Sequence, residues 1–113
     1  MATETLRQKQ SRFAQMAARL IQQAQAMGYE VTLGEAMRSP QEAARLAGSG
    51  RGIARSLHCD RLAIDLNLFK DGQFLAATED HRPLGEWWES IGGAWGGRFR
   101  DGNHYSLAHE GRK

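Results

Sequence analysis

Cysteine is almost absent from this sequence: Cys59 is the only one among 113 residues, so no internal disulfide can form. The fold must therefore stand without covalent cross-links, and nothing points to maturation in an oxidising compartment. No apolar run approaches the roughly 20 residues that a membrane span requires, and residues 1–10 lack the apolar core of a signal peptide. These absences predict no stable membrane insertion, no signal peptide and synthesis in the cytoplasm.

The sequence also lacks a strong charge of either sign. Its formal net charge is +2 and its isoelectric point is near 9.0, which is only mildly basic. The middle of the chain carries arginines at positions 38, 45, 51, 55 and 61. No aromatic residues lie between them to stack on bases, as single-stranded nucleic-acid sites require. We therefore expect no nucleic-acid partner.

Proline is scarce as well, with 2 residues against 13 glycines, and this ratio favours loops that can bring separate segments together. A hydrophobic content of 41% and a charged content of 25% are ordinary for a globular protein and exclude a fibrous or disordered chain. The length suits one domain with its own core. We predict a single domain over residues 1–113, present as a monomer.

Periodic apolar residues predict the helices. Apolar side chains recur at three- and four-residue steps over residues 3–27, which indicates an amphipathic helix ended by Gly28. Residues 29–33 are typical of a short strand. Ser39 is a good N-cap and Pro40 suits the first helical position, so a second helix is expected there. A third helix, containing Trp87 and Trp88, is expected to stop at residues 92–93, with one of these tryptophans in the core.

The stretch from Leu62 to Leu68 alternates strictly and predicts a strand. Its leucines and isoleucine share one face, while Asp65 falls on the other. The Asp-Gly pair at residues 71–72 predicts a hairpin with a strand at 73–76. Together the elements favour an α+β fold, in which a small antiparallel sheet carries the functional side chains and helices pack on it.

Two histidines and a carboxylate can supply a metal site. Asp65 would be costly to bury without a cation or hydrogen-bond donors in front of it, and His58 precedes it by seven residues. His104 would complete a ligand set that suits zinc and leaves a position open for water. Asp101, three residues before His104, could act as a general base if residues 101–103 form a turn.

These stretches resemble the motifs of the M15 family of zinc peptidases. The first family motif is matched by Ser56, His58, Ala63 and Asp65, and the second by Asp101, His104 and Tyr105 in the same order and separation. An Arg-Ser pair between a strand and a helix is matched by Arg38 and Ser39. Each motif alone is weak, but together they are specific. The resemblance covers most of the chain from about residue 28 onward.

The resemblance implies a peptidoglycan peptidase with Zn2+ held by His58, Asp65 and His104. Asp101 would be the catalytic base, while Arg38 would contact the substrate or the developing oxyanion. We place Ser56 and Trp95 at the substrate cleft, Trp95 because it stands beside two glycines close to the second motif. The expected substrate is the stem peptide, cut at the L-Ala-D-Glu bond by an endolysin of bacteriophage type that a holin helps across the inner membrane.

Two alternatives stay open: a D,D-carboxypeptidase of the same family and a non-catalytic, zinc-stabilised module that binds peptidoglycan. Two departures from the family pattern bear on turnover, namely Arg61 in place of a usual glycine and Ser106 in place of a usual glutamate. We further expect Cys59 not to be a ligand. His81 and His109 are expected to be solvated surface residues, and the glycine-rich residues 48–52 could close over a bound peptide.

Overall fold

The strand predicted around Asp65 is the central strand of an antiparallel sheet. The structure, a computed structural model, describes residues 3–50 and 56–113. Strand β1 (Glu30–Leu33) pairs with one edge of β2 (Ala63–Lys70). On the other edge, β5 (His104–Ser106) pairs with the first half of β2 and β3 (Gln73–Leu75) with the second half, while β4 (Ala94–Trp95) lies beyond β5. The α+β prediction is confirmed.

Three α-helices accompany the sheet, close to the predicted positions. They are α1 (Leu6–Ala26), α2 (Pro40–Gly48) and α3 (Arg82–Ser90). The hydroxyl of Ser39 accepts a hydrogen bond from the backbone N–H of Glu42 at 3.0 Å, so the predicted N-cap of α2 is confirmed. Among the described residues, no helix is long and apolar enough to cross a membrane.

The core lies between α1, α3 and the aliphatic face of β2. Ile64, Leu66 and Leu68 of that face are all buried, as the alternation predicts. Phe13 of α1 packs edge-on against Trp88 of α3, with ring centroids 6.0 Å apart. The helices therefore leave the opposite face of β2, with Asp65, to the functional site.

The hairpin between β2 and β3 turns at Asp71 and Gly72, with φ of 52° and 79°. Two consecutive positive φ values are those of a type I′ turn, which matches the right-handed twist of the strands. The prediction from the Asp-Gly pair is therefore confirmed.

Arg61 ends the turn that leads into β2, and it adopts the left-handed conformation with φ of 57°. The Leu62 N–H donates to the Leu57 carbonyl at 3.0 Å, and the Arg61 N–H donates to the His58 carbonyl at 3.3 Å. These two bonds form a Schellman motif, in which the left-handed position usually belongs to glycine. The arginine thus keeps the backbone path that a glycine would take.

His81 is not a surface residue, and that prediction is wrong. Its side chain is buried at the end of a short 3-10 turn (Thr78–His81), and its Nδ1 lies 2.7 Å from the hydroxyl of Tyr105 on β5. The pairing requires β5 to fold back beneath the turn, which no local sequence pattern reveals. His109 is partly buried, with its Nδ1 3.2 Å from Lys9 Nζ.

Candidate metal centre

The sheet register brings Asp65 and His104 side by side. In the antiparallel pairing of β2 with β5, Asp65 is the direct partner of His104. A turn over residues 101–103 precedes β5, and the His104 N–H donates to the Asp101 carbonyl at 3.1 Å. That turn lets Asp101 and His104 face the same site although their separation is odd.

His58 reaches the same point from the turn before β2. Its Nε2 lies 3.2 Å from Asp65 Oδ1, and His104 Nδ1 lies 3.5 Å from the same oxygen. The two imidazole rings meet edge to face, with centroids 5.2 Å apart. One ligand atom from each of the three residues lies within 4.8 Å of the others, so they could hold a metal ion.

Two polar atoms of this group fit a metal ion because they are buried and lack hydrogen bonds: Asp65 Oδ1 and His104 Nε2 have no hydrogen-bond partner among the described residues. Leaving such atoms unsatisfied costs about 1 to 3 kcal/mol each. Two imidazoles and a carboxylate are a common ligand set of catalytic zinc sites. The residues therefore suit zinc.

The electrostatics of Asp65 keep it ionised. Burial would raise the pKa of this carboxyl, but the imidazoles of His104 and His58, 3.5 Å and 3.2 Å from Oδ1, outweigh burial and lower the pKa to about 2. A carboxylate that stays charged at neutral pH is the form that binds a cation.

Asp101 and Arg38 lie at the edge of this group. Asp101 Oδ2 is 3.9 Å from His104 Nδ1, and the side chain is half exposed. Burial is the largest influence on Asp101 and raises its pKa above the ordinary value, and the negative charge of Asp65 acts in the same direction. The backbone N–H of Arg38 donates a hydrogen bond to the backbone carbonyl of His58 at 3.1 Å, which places the arginine beside a candidate ligand.

Glu35 is a residue of the site that sequence analysis missed. Its carboxylate Oε1 lies 2.6 Å from Arg38 Nε and 3.7 Å from His58 Nδ1. Its position three residues before Arg38 was the only available signal, and an i,i+3 Glu-Arg pair on a surface is too common to single out. The contact with His58 arises only when β1 pairs with β2.

Ser56 and Trp95, which we expected at the substrate cleft, are both buried. Ser56 Oγ accepts a hydrogen bond from the His58 N–H at 3.2 Å and so braces the turn. Trp95 is 1% exposed and donates from Nε1 to the Gly102 carbonyl at 2.7 Å. The exposed aromatic ring near the site is Phe99, whose centroid is 5.8 Å from that of His104.

Two further predictions concern the approach to the site. Cys59 Sγ lies 3.9 Å from the Ser39 carbonyl and is not among the three residues that could hold a metal. The segment around it is a turn and not an extended strand. In the predicted loop, residues 48–50 end α2, while residues 51–52 lie outside the described residues.

Comparisons with known proteins identify the fold and the family of this chain. The chain resembles the crystal structure of the L-Ala D-Glu endopeptidase ChiX of Serratia marcescens, with a TM-score of 0.66 and 20% sequence identity over 80% of this chain and 77% of that one. No curated protein matches the sequence. The model of an M15 peptidase family, described as D-alanyl-D-alanine carboxypeptidase, matches residues 49–107, a stretch that includes His58, Asp65, Asp101 and His104. Because that match spans more than half of the chain, the protein belongs to the M15 peptidases.

Proposed function

We propose that this protein is a zinc-dependent peptidase that hydrolyses an amide bond in the stem peptide of peptidoglycan, with L-Ala-D-Glu as the bond cleaved. The observation that carries the proposal is the convergence of His58, Asp65 and His104, in which Asp65 Oδ1 and His104 Nε2 are buried without hydrogen-bond partners among the described residues. The fold shared with the Serratia endopeptidase supports the choice of bond.

The roles of the surrounding residues follow from their positions. A bound zinc ion would supply Lewis-acid polarisation of the scissile carbonyl and a lowered pKa for the attacking water. Asp101 accepts the proton from that water and returns it to the leaving amine, a task for which its raised pKa suits it. Arg38 stabilises the charge that develops on the substrate oxygen.

The second candidate is a D,D-carboxypeptidase, which the description of the matched family favours. It would use the same residues on the terminal D-Ala-D-Ala bond. The two activities differ in their products, because the carboxypeptidase releases free D-alanine while the endopeptidase frees the amino group of D-glutamate. We extend the proposal to bacterial cell-wall lysis of the phage type, with export by a holin, on the motif resemblance alone.

Digestion of purified peptidoglycan with the zinc-loaded protein tests the proposal. Mass analysis of the soluble products should find stem peptides that begin with D-glutamate. Free D-alanine without such peptides would establish the carboxypeptidase instead. If no new amino groups form while peptidoglycan still binds to the protein, the non-catalytic binding module replaces both.

A further inference from the structure

Glu35 is tied by its backbone to the candidate ligand Asp65. The Asp65 N–H donates to the Glu35 carbonyl at 2.8 Å, and the Gly34 N–H donates to the Asp65 carbonyl at 2.8 Å. These bonds continue the pairing of β1 with β2 beyond the end of β1. The position of Glu35 relative to Asp65 is therefore set by the sheet and not by a loose loop.

A single carboxylate oxygen of Glu35 faces two residues of the site. Oε1 lies 2.6 Å from Arg38 Nε and 2.5 Å from Arg38 Nη2, and both contacts are charge-assisted. The same oxygen is 3.7 Å from His58 Nδ1, which is a charge contact slightly longer than a hydrogen bond. The Arg38 side chain is largely buried, so water weakens this pair less than it weakens a surface pair.

The two ring nitrogens of His58 face different carboxylates, Nε2 facing Asp65 and Nδ1 facing Glu35. Nε2 faces Asp65 Oδ1, on the side where a metal ion would bind. A neutral imidazole that offers Nε2 to a metal carries its proton on Nδ1, and that N–H needs an acceptor. Nδ1 is buried without a hydrogen-bond partner in the described part of the chain, and Glu35 Oε1 is the carboxylate oxygen in front of it.

We propose that Glu35 is a positioning residue that orients His58 for metal binding and holds Arg38 over the substrate site through one carboxylate. This inference rests on the proposed function. Other Glu-Arg pairs with the same i,i+3 spacing, such as Glu79 with Arg82, lie on the surface. Glu79 with Arg82 therefore provides a matched control for the loss of an ion pair alone.

The test compares Glu35→Gln with Glu79→Gln in zinc affinity and in the kinetics of stem-peptide cleavage. Glutamine keeps the shape of glutamate but loses the charge. Zinc affinity, measured by competition with a chelator, should fall about 10- to 100-fold in Glu35→Gln, the usual loss when the partner behind a ligating histidine is mutated. The value of kcat should fall about tenfold or more while KM changes little, because Arg38 acts on charge that develops in the transition state.

Glu79→Gln should keep the zinc affinity and kcat of the parent. A Glu35→Gln protein with zinc affinity and kcat within about twofold of the Glu79→Gln values would overturn the inference. Should Glu35→Gln fail to fold, Glu35→Asp replaces it, because the shorter side chain keeps the charge but withdraws it from His58. Lower zinc affinity in the folded Glu35→Asp protein supports the inference, and parent-like affinity overturns it.

Different results separate the proposed zinc peptidase activity from the proposed role of Glu35. A parent protein that binds no zinc would remove the proposed function and this inference together. A parent that binds zinc and cleaves the stem peptide, alongside a Glu35→Gln variant that matches it, would overturn the role of Glu35 alone.

Discussion

Asp101 is the residue on which the choice between an enzyme and a binding module depends, because it is the proposed base and not a ligand. Asp101→Asn keeps the size of the side chain but removes the proton acceptor. General-base catalysis contributes about a hundredfold to ten-thousandfold in rate, so cleavage of the stem peptide should fall by at least about a hundredfold. Zinc content and melting temperature should stay at the parent values.

Asp71→Asn is the matched control, since Asp71 lies in the β2–β3 hairpin turn, away from the metal centre. It should leave cleavage unchanged. Rapid cleavage by Asp101→Asn would assign the base to another residue, and Asp101 would then be only part of the turn before β5.

Arg61 carries a measurable backbone cost. A residue with a Cβ in the left-handed region is disfavoured by about 1 to 2 kcal/mol. Glycine removes this cost, but its more flexible unfolded chain offsets part of the gain in stability. Because the Arg61 side chain is exposed, Arg61→Gly should raise the free energy of unfolding by about 0.5 to 1 kcal/mol. Denaturant unfolding measures the difference.

Arg61→Ala separates the backbone from the side chain, because alanine removes the guanidinium but keeps the Cβ. It should give no such gain in stability. Equal stabilisation by glycine and alanine would mean that the arginine side chain, and not the left-handed backbone, is unfavourable at this position.

The 3-10 turn and β5 are joined by two buried, uncharged side chains, His81 and Tyr105. Burial lowers the pKa of His81 below 6.5 and raises the pKa of the Tyr105 hydroxyl, so the imidazole and the hydroxyl that share this hydrogen bond are both uncharged. The charge of Asp80 and a hydrogen bond with the Leu75 backbone each raise the pKa of His81, but by less than burial lowers it. Below pH 6.5, His81 therefore binds a proton in the unfolded chain but stays neutral in the folded chain until the pH reaches its lower folded pKa.

The stability that depends on neutral His81 is fully present above the unfolded pKa of 6.5 and is lost as the pH falls toward the lower folded pKa. The slope contributed by one such group is at most about 1.4 kcal/mol per pH unit. Urea unfolding of the chelated protein at pH 7, 6 and 5 should show a shallower decline in His81→Gln than in the parent. The control His109→Gln should decline like the parent; a parent-like decline in His81→Gln would argue against the assignment.

Local sequence patterns predicted the elements well, because each depends on residues close in the chain. The N-cap at Ser39, the Asp-Gly hairpin and the alternation through β2 are all of this kind. The burial of His81 and Trp95 depends instead on how β5 packs against the turn and α3, so the residues next to them in the chain do not reveal it. Glu35 was missed for the same reason, since His58 reaches it only across the assembled sheet.

For the whole molecule, metal binding and folding should be coupled. The candidate ligands come from the turn before β2, from β2 itself and from β5, so the site exists only when the sheet has formed. An ion bound to the folded state alone stabilises it by mass action. Chelation should therefore lower the melting temperature of the zinc-loaded protein.

The most direct test of the account is the rate at which new amino groups appear in peptidoglycan before chelation, after chelation and after one equivalent of zinc is returned. Chelation should abolish the release, and zinc should restore it in the parent and in His109→Ala, but not in His104→Ala. Release that continues unchanged in the chelated protein, or full activity in His104→Ala, would contradict a zinc peptidase built on His58, Asp65 and His104.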